Sequence, residues 1–98
     1  MEIKKEGNKV TAFIVGKLDR STSPGFSDDM ERIVDESVDE IVIDLKDAIY
    51  ISSAGLRIIL ALEKKMENSD GNLTIRNIPD MIMEVFVETG LSDILTLE

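Results

Sequence analysis

Two adjacent serines, Ser52 and Ser53, are followed at once by Ala54 and Gly55 and then by apolar residues at helical spacing, so a hydroxyl stands where a helix opens. A side-chain oxygen there can cap the helix by accepting a hydrogen bond from one of the unpaired N–H groups of the first turn, or it can serve as a functional hydroxyl. Used as a nucleophile it would need a base, usually histidine, and the 98 residues contain none. Lys64 and Lys65 fall three helical turns from Ser53, and no nucleophile-elbow or phosphate-loop pattern occurs. Without His or Cys no zinc site is expected, and the acidic residues lack the spacing of a calcium loop; only a lone carboxylate pair for magnesium stays open. The chain is therefore not expected to be an enzyme, and no cofactor motif is found.

Elements on both sides must hold the serines in place. Downstream, Gly55, Ile58, Ile59, Leu62 and Met66 recur every three or four residues while Arg57, Ala61, Lys64 and Asn68 fall opposite, which predicts an amphipathic helix over Ser53–Met66. Upstream, Ile41-Val42-Ile43-Asp44-Leu45 is almost continuously apolar and β-branched, the pattern of a central strand covered on both faces. The small residues at 52–55 join the apolar run Ile49-Tyr50-Ile51 to the helix, just beyond the carboxyl end of that strand. Open α/β sheets commonly meet ligands and partners at such a place.

The rest of the chain alternates in the same way. Gly7-Asn8 is a turn pair, Val10–Val15 reads as a strand, and together they predict an opening hairpin ended by Gly16-Lys17-Leu18-Asp19. Ser21, Thr22 and Ser23 are cap candidates for a helix over Pro24–Ser37. Its inner stripe is Phe26, Met30, Ile33, Val34 and Ser37, and Asp28, Asp29 and Glu31 are expected to favour its positive end. After a turn at 68–72, Leu73–Arg76 predicts a half-buried strand and Pro79–Thr89 a third helix. Ile82, Val85 and Phe86 face inward, Gly90 terminates, and Leu91, Ile94 and Leu95 return to the core. An α/β fold follows, with a mixed sheet of four to five strands, about three helices and right-handed crossovers. Strand order is not readable.

A chain of this length forms one domain over residues 1–98. Its longest uncharged apolar run, Ile58 to Leu62, is far below the ~20 residues a membrane helix needs, so direct membrane insertion is not expected. Net charge −9 with 11 scattered Lys and Arg argues against a nucleic-acid partner, which would require a basic face. The N-terminal residues lack a signal-peptide pattern and cysteine is absent, so the default location is cytoplasmic.

Asp44-Leu45 followed by Tyr50-Ile51-Ser52-Ser53-Ala54-Gly55-Leu56, with Gly16-Lys17-Leu18-Asp19 upstream and Thr89-Gly90-Leu91 downstream, resembles the STAS domain of bacterial anti-sigma factor antagonists over nearly the whole chain. The resemblance implies a partner-switching protein. Unphosphorylated, it would bind an anti-sigma factor with serine kinase activity and a histidine-kinase-like ATPase fold, releasing a sigma factor. Phosphorylation would end that binding, and a serine phosphatase would restore it.

In the family the acceptor lies two residues before the glycine, which places it on Ser53 rather than Ser52. Ser52 stands where the family has aspartate, and Arg57 where better-known members have a small residue. Asp19, matching the aspartate of the family's Gly-x-Leu-Asp loop, is placed by the resemblance beside the acceptor. Asp19, Ser21, Ser52, Ser53, Gly55, Leu56 and Arg57 are the expected partner-binding residues. The alternative implied by the same resemblance is an unphosphorylated STAS adaptor subunit of a larger assembly such as a membrane transporter complex.

Overall fold

The computed structural model describes residues 1–98 as five strands and three α-helices in the order β1 (Glu2–Glu6), β2 (Lys9–Leu18), α1 (Ser23–Ile33), β3 (Glu40–Ile51), α2 (Ser53–Asn68), β4 (Asn72–Arg76), α3 (Asp80–Glu88) and β5 (Thr96–Leu97). A short 3-10 turn, Leu91–Asp93, links α3 to β5. The sheet runs β1-β2-β3-β4-β5; only β1 and β2 are antiparallel, and β3 is central as expected. Gly7 sits at φ +62, in the left-handed region that the hairpin turn needs and that glycine enters without steric cost.

Side chains alternate across the sheet. Val10, Ala12 and Ile14 of β2, Ile41, Ile43 and Leu45 of β3 and Leu73 and Ile75 of β4 share one buried cluster with Phe26 and Met30 of α1, Ile59 and Met66 of α2 and Ile82 and Phe86 of α3. The opposite face carries Thr11, Val42, Asp44 and Arg76. No helix is long and apolar enough to cross a membrane.

Two strands are longer than their sequence patterns suggested. β2 does not end at Gly16: a register shift there, with Gly16 at φ +75, carries the strand on to Leu18 and turns Leu18 fully inward. β3 runs six residues past Leu45, although Lys46 and Asp47 interrupt its apolar pattern. That extension pairs with β2 alone, Val15 opposite Asp47 through Leu18 opposite Ile51, because the β3–β4 pairing stops at Asp44 and Arg76. The extended β2–β3 pair, its inward residues Leu18, Ala48 and Ile51 still part of the core, delivers Ser52.

Helix ends also moved. α1 stops at Ile33, not Ser37, because Val34 takes extended angles (φ −86, ψ 95) and Asp35 accepts hydrogen bonds from the N–H and hydroxyl of Ser37. Ser37 is consequently exposed rather than part of the inner stripe. No acid lies in the first turn of α1, so the expected help from Asp28, Asp29 and Glu31 is absent: counted from Ser23 they fall in the second and third turns, beyond the positive end. α2 continues two residues beyond Met66, to Asn68. Gly90, at φ +79, ends α3 as expected, but the 3-10 turn after it rotates Ile94 outward, 60% exposed, while Leu91 and Leu95 go in.

Candidate functional site

Ser52 and Ser53 have different surroundings although they are neighbours. Ser52 is the N-cap of α2: its backbone is extended (φ −85, ψ 174) and its Oγ accepts from the Gly55 N–H at 3.4 Å. The backbone N–H of Ser52 donates to the Leu18 carbonyl at 2.9 Å, fastening the helix start to the end of β2. Ser53 is the first residue inside α2 and is exposed. Since the cap is made by Ser52, the Ser53 hydroxyl is left uncommitted at the positive end of a 16-residue helix.

Gly55 and Leu56 lie on the inward side of the same turn. A Cβ on Gly55 would stand 2.6 Å from the Leu18 carbonyl oxygen and 2.9 Å from Leu18 Cγ, so glycine is what lets α2 approach β2 this closely. Leu56 is 9% exposed and belongs to the core. Arg57 is exposed, one helical turn after Ser53.

The loop after β2 is held by Asp19. Its Oδ1 accepts from the Ser21 hydroxyl (2.8 Å), the Ser21 N–H (2.9 Å) and the Thr22 N–H (3.1 Å), while Thr22 Oγ1 donates to the Lys17 carbonyl (2.8 Å). The Ser21 hydroxyl, then the Ser21 and Thr22 backbone donors, hold the Asp19 carboxyl below the usual carboxylate range. Asp19 is thus ionised and its loop preformed next to the α2 start, because Leu18, the residue before it, receives the Ser52 N–H. Thr22, not Ser23, flanks the start of α1, and its side chain makes no cap hydrogen bond within that helix.

Every residue singled out in the sequence at this end of the molecule is thereby placed on one contiguous region, the ends of β2 and β3, the 19–22 loop and the first turn of α2. Sequence reading missed an apolar neighbour of that region. Ile49, Tyr50 and Ile51 of β3 line a wholly hydrophobic depression with Met81, Ile82 and Val85 of α3, and Ile49, Tyr50 and Met81 are 65%, 51% and 75% exposed. The available signal was the unbroken apolar run Ala48–Ile51, more apolar than a strand with one wet face requires. Exposed apolar area of this kind marks interaction surfaces.

The family model described as STAS domain matches residues 1–98. The anti-sigma-B factor antagonist of Bacillus subtilis (strain 168) is 26% identical over 97 residues, covering 99% of this chain and 88% of that protein. The fold is similar to that of the anti-sigma factor antagonist SpoIIAA in its unphosphorylated form, with TM-score 0.80 at 16% identity over 99% of this chain and 86% of that one. It is equally similar to the Bacillus cell fate determinant SpoIIAA in the phosphorylated form, with TM-score 0.79 at 17% identity over 99% and 89% of the two chains.

Proposed function

Because the chain belongs to the STAS domain family, we propose that it acts as a single-domain, cytoplasmic anti-sigma factor antagonist that binds an anti-sigma factor with serine kinase activity and is switched off by phosphorylation of Ser53. The observation that carries this reading is the division of labour at the start of α2: Ser52 caps the helix, so Ser53 is exposed and chemically free at the positive end. A kinase acceptor must be reachable, and a phosphate must be tolerated once made. Helix N–H groups facing Ser53 meet the second condition. The SpoIIAA structures, described in unphosphorylated and phosphorylated forms, support a switch of this kind in a chain of the same fold.

Partner binding uses the same region. The preformed Asp19–Thr22 loop, Ser52, Ser53 and Arg57 supply polar contacts, and the apolar depression around Ile49, Tyr50 and Met81 supplies the hydrophobic area that most stable interfaces need. Gly55 and Leu56 act from beneath by fixing where α2 starts. A serine phosphatase returns the protein to the binding form. The protein itself performs no chemistry in this scheme; the kinase supplies the base, the nucleotide and the metal.

Incubation with the partner kinase and ATP, followed by mass mapping, tests the assignment. Phosphate is expected on Ser53 in the native chain and in Ser52→Ala, and none in Ser53→Ala. Phosphate found only on Ser52 overturns it.

A further inference from the structure

Between the first turns of α1 and α2 lies an open cleft whose charge differs from that of the acidic surface around it. Arg20, from the loop before α1, and Arg57, from the first turns of α2, both line it. They are two of the chain's four arginines, and neither forms an ion pair, whereas Arg32 pairs with Asp29 and Arg76 with Asp44. Ser23 also lines the cleft. Its Oγ is buried, the residue being 2% exposed, and has no hydrogen-bond partner. A buried hydroxyl left unpaired is costly, and here it shares the lining of the cleft with two uncommitted guanidinium groups, at the start of two helices 11 and 16 residues long. The Asp28 carboxylate on the rim offsets one of the two positive charges.

The geometry points to a binding site for a phosphate group in this cleft, with Arg20 and Arg57 supplying charge-assisted hydrogen bonds and the Ser23 hydroxyl, closed off in the unliganded protein, turning about its side-chain bond to donate from the floor. Guanidinium forks match the paired oxygens of a phosphate, and the helix ends add their positive potential. With Asp28 nearby and a net charge of −9, binding is modest, roughly millimolar for the bare ion. The site does not depend on phosphorylation of Ser53, but it offers a phosphate on that residue a neighbour in Arg57 four residues on, where helical side chains meet.

Titration of the unmodified protein with inorganic phosphate, followed by amide chemical shifts at constant ionic strength, tests the site. Saturable shifts centred on Ser23, Ala54 and Arg57 are expected, with chloride giving none. Arg20→Gln and Arg57→Gln should each weaken binding about tenfold. Ser23→Ala should weaken it while raising the melting temperature, because the orphaned oxygen is removed; a purely structural serine would not separate those two readouts. Shifts that chloride reproduces, or unchanged affinity in both arginine variants, overturn the proposal. The Ser53-phosphorylated protein identifies the source: if it shows the Ser23 and Arg57 shifts without added phosphate and takes up none, its own phosphate occupies the site. If it titrates like the unmodified chain, the ligand comes from outside.

Discussion

At the scale of single residues, the start of α2 rests on one hydroxyl and one missing side chain. The Ser52 cap is long at 3.4 Å, so its loss should fall at the low end of the usual range. Ser52→Ala is expected to cost about 0.5–1 kcal/mol in urea unfolding while the protein stays a kinase substrate. Gly55→Ala sets two effects against each other. Alanine is the better helix former by up to about 1 kcal/mol, yet its Cβ would meet the Leu18 carbonyl at 2.6 Å, and that carbonyl already accepts the Ser52 N–H. Backbone cannot swing aside as a flexible side chain can, so overpacking wins and the variant should lose roughly 1–3 kcal/mol. Because any relief must shift α2 away from β2, the affinity for the anti-sigma partner should fall as well, which calorimetry on the folded variant measures. An equally stable Gly55→Ala protein would show that the approach of helix to strand is looser than it stands here.

At the scale of elements, β3 works as two strands in one. Its first half is the sheet centre, and its second half runs on with β2 alone to present the serines. Asp44 stands at the junction. It is 5% exposed and accepts from Arg76 Nε at 2.9 Å, Asn77 Nδ2 at 3.0 Å and the Lys46 N–H at 2.9 Å, tying β3 to the end of β4 and to its own extension. Burial pushes the Asp44 carboxyl up, but the Lys46 N–H, Arg76 and Asn77 together outweigh it and hold it below the usual range. A carboxylate depressed in the folded state contributes stability above its unfolded value, and that contribution is lost as pH falls through the folded value. Asp44→Asn should therefore cost about 2–3 kcal/mol at neutral pH, moderated because Arg76 is one-third exposed, and the difference from the native protein should shrink below about pH 4. A pH-independent difference in urea midpoints would mean that shape and not charge does the holding. The two halves of β3 also show what the sequence could and could not convey. Ile41–Leu45 was legible because continuous burial writes itself as continuous apolarity. The extension was not, since Lys46 and Asp47 are exposed where the strand runs on with β2 alone, and the bulge at Gly16 depends on a backbone angle that no side-chain pattern records. The α2 start was legible because capping and close packing demand small residues at fixed spacing, whereas the Arg20–Ser23–Arg57 cleft joins distant segments that only the folded chain brings together.

At the scale of the whole molecule, a phosphate on Ser53 must act either by reshaping the domain or by changing what can dock on it. It adds about −1.5 to −2 charges to a chain already at −9, which by itself disfavours compactness slightly. Locally the balance runs the other way. The new charge sits at the positive end of α2, beside free N–H groups, with Arg57 one turn away and no ion pair to break. The core beneath is one continuous cluster that ties all three helices to the sheet, and the exposed Ser53 is not among its members. The domain should accordingly keep its fold, with chemical-shift changes confined to residues 52–57, the 19–22 loop and the cleft they border. Binding behaves differently, because a dianion enclosed by a partner surface that fitted a hydroxyl must be desolvated without compensation, at a cost of several kcal/mol. Affinity for the anti-sigma partner should drop about a hundredfold or more, since every 1.4 kcal/mol is a factor of ten. Calorimetry of both forms, with amide shifts on the same samples, separates the mechanisms. Unchanged affinity, or shifts running along the length of α1 and through the Ile43 strand, would replace the local mechanism with a conformational one.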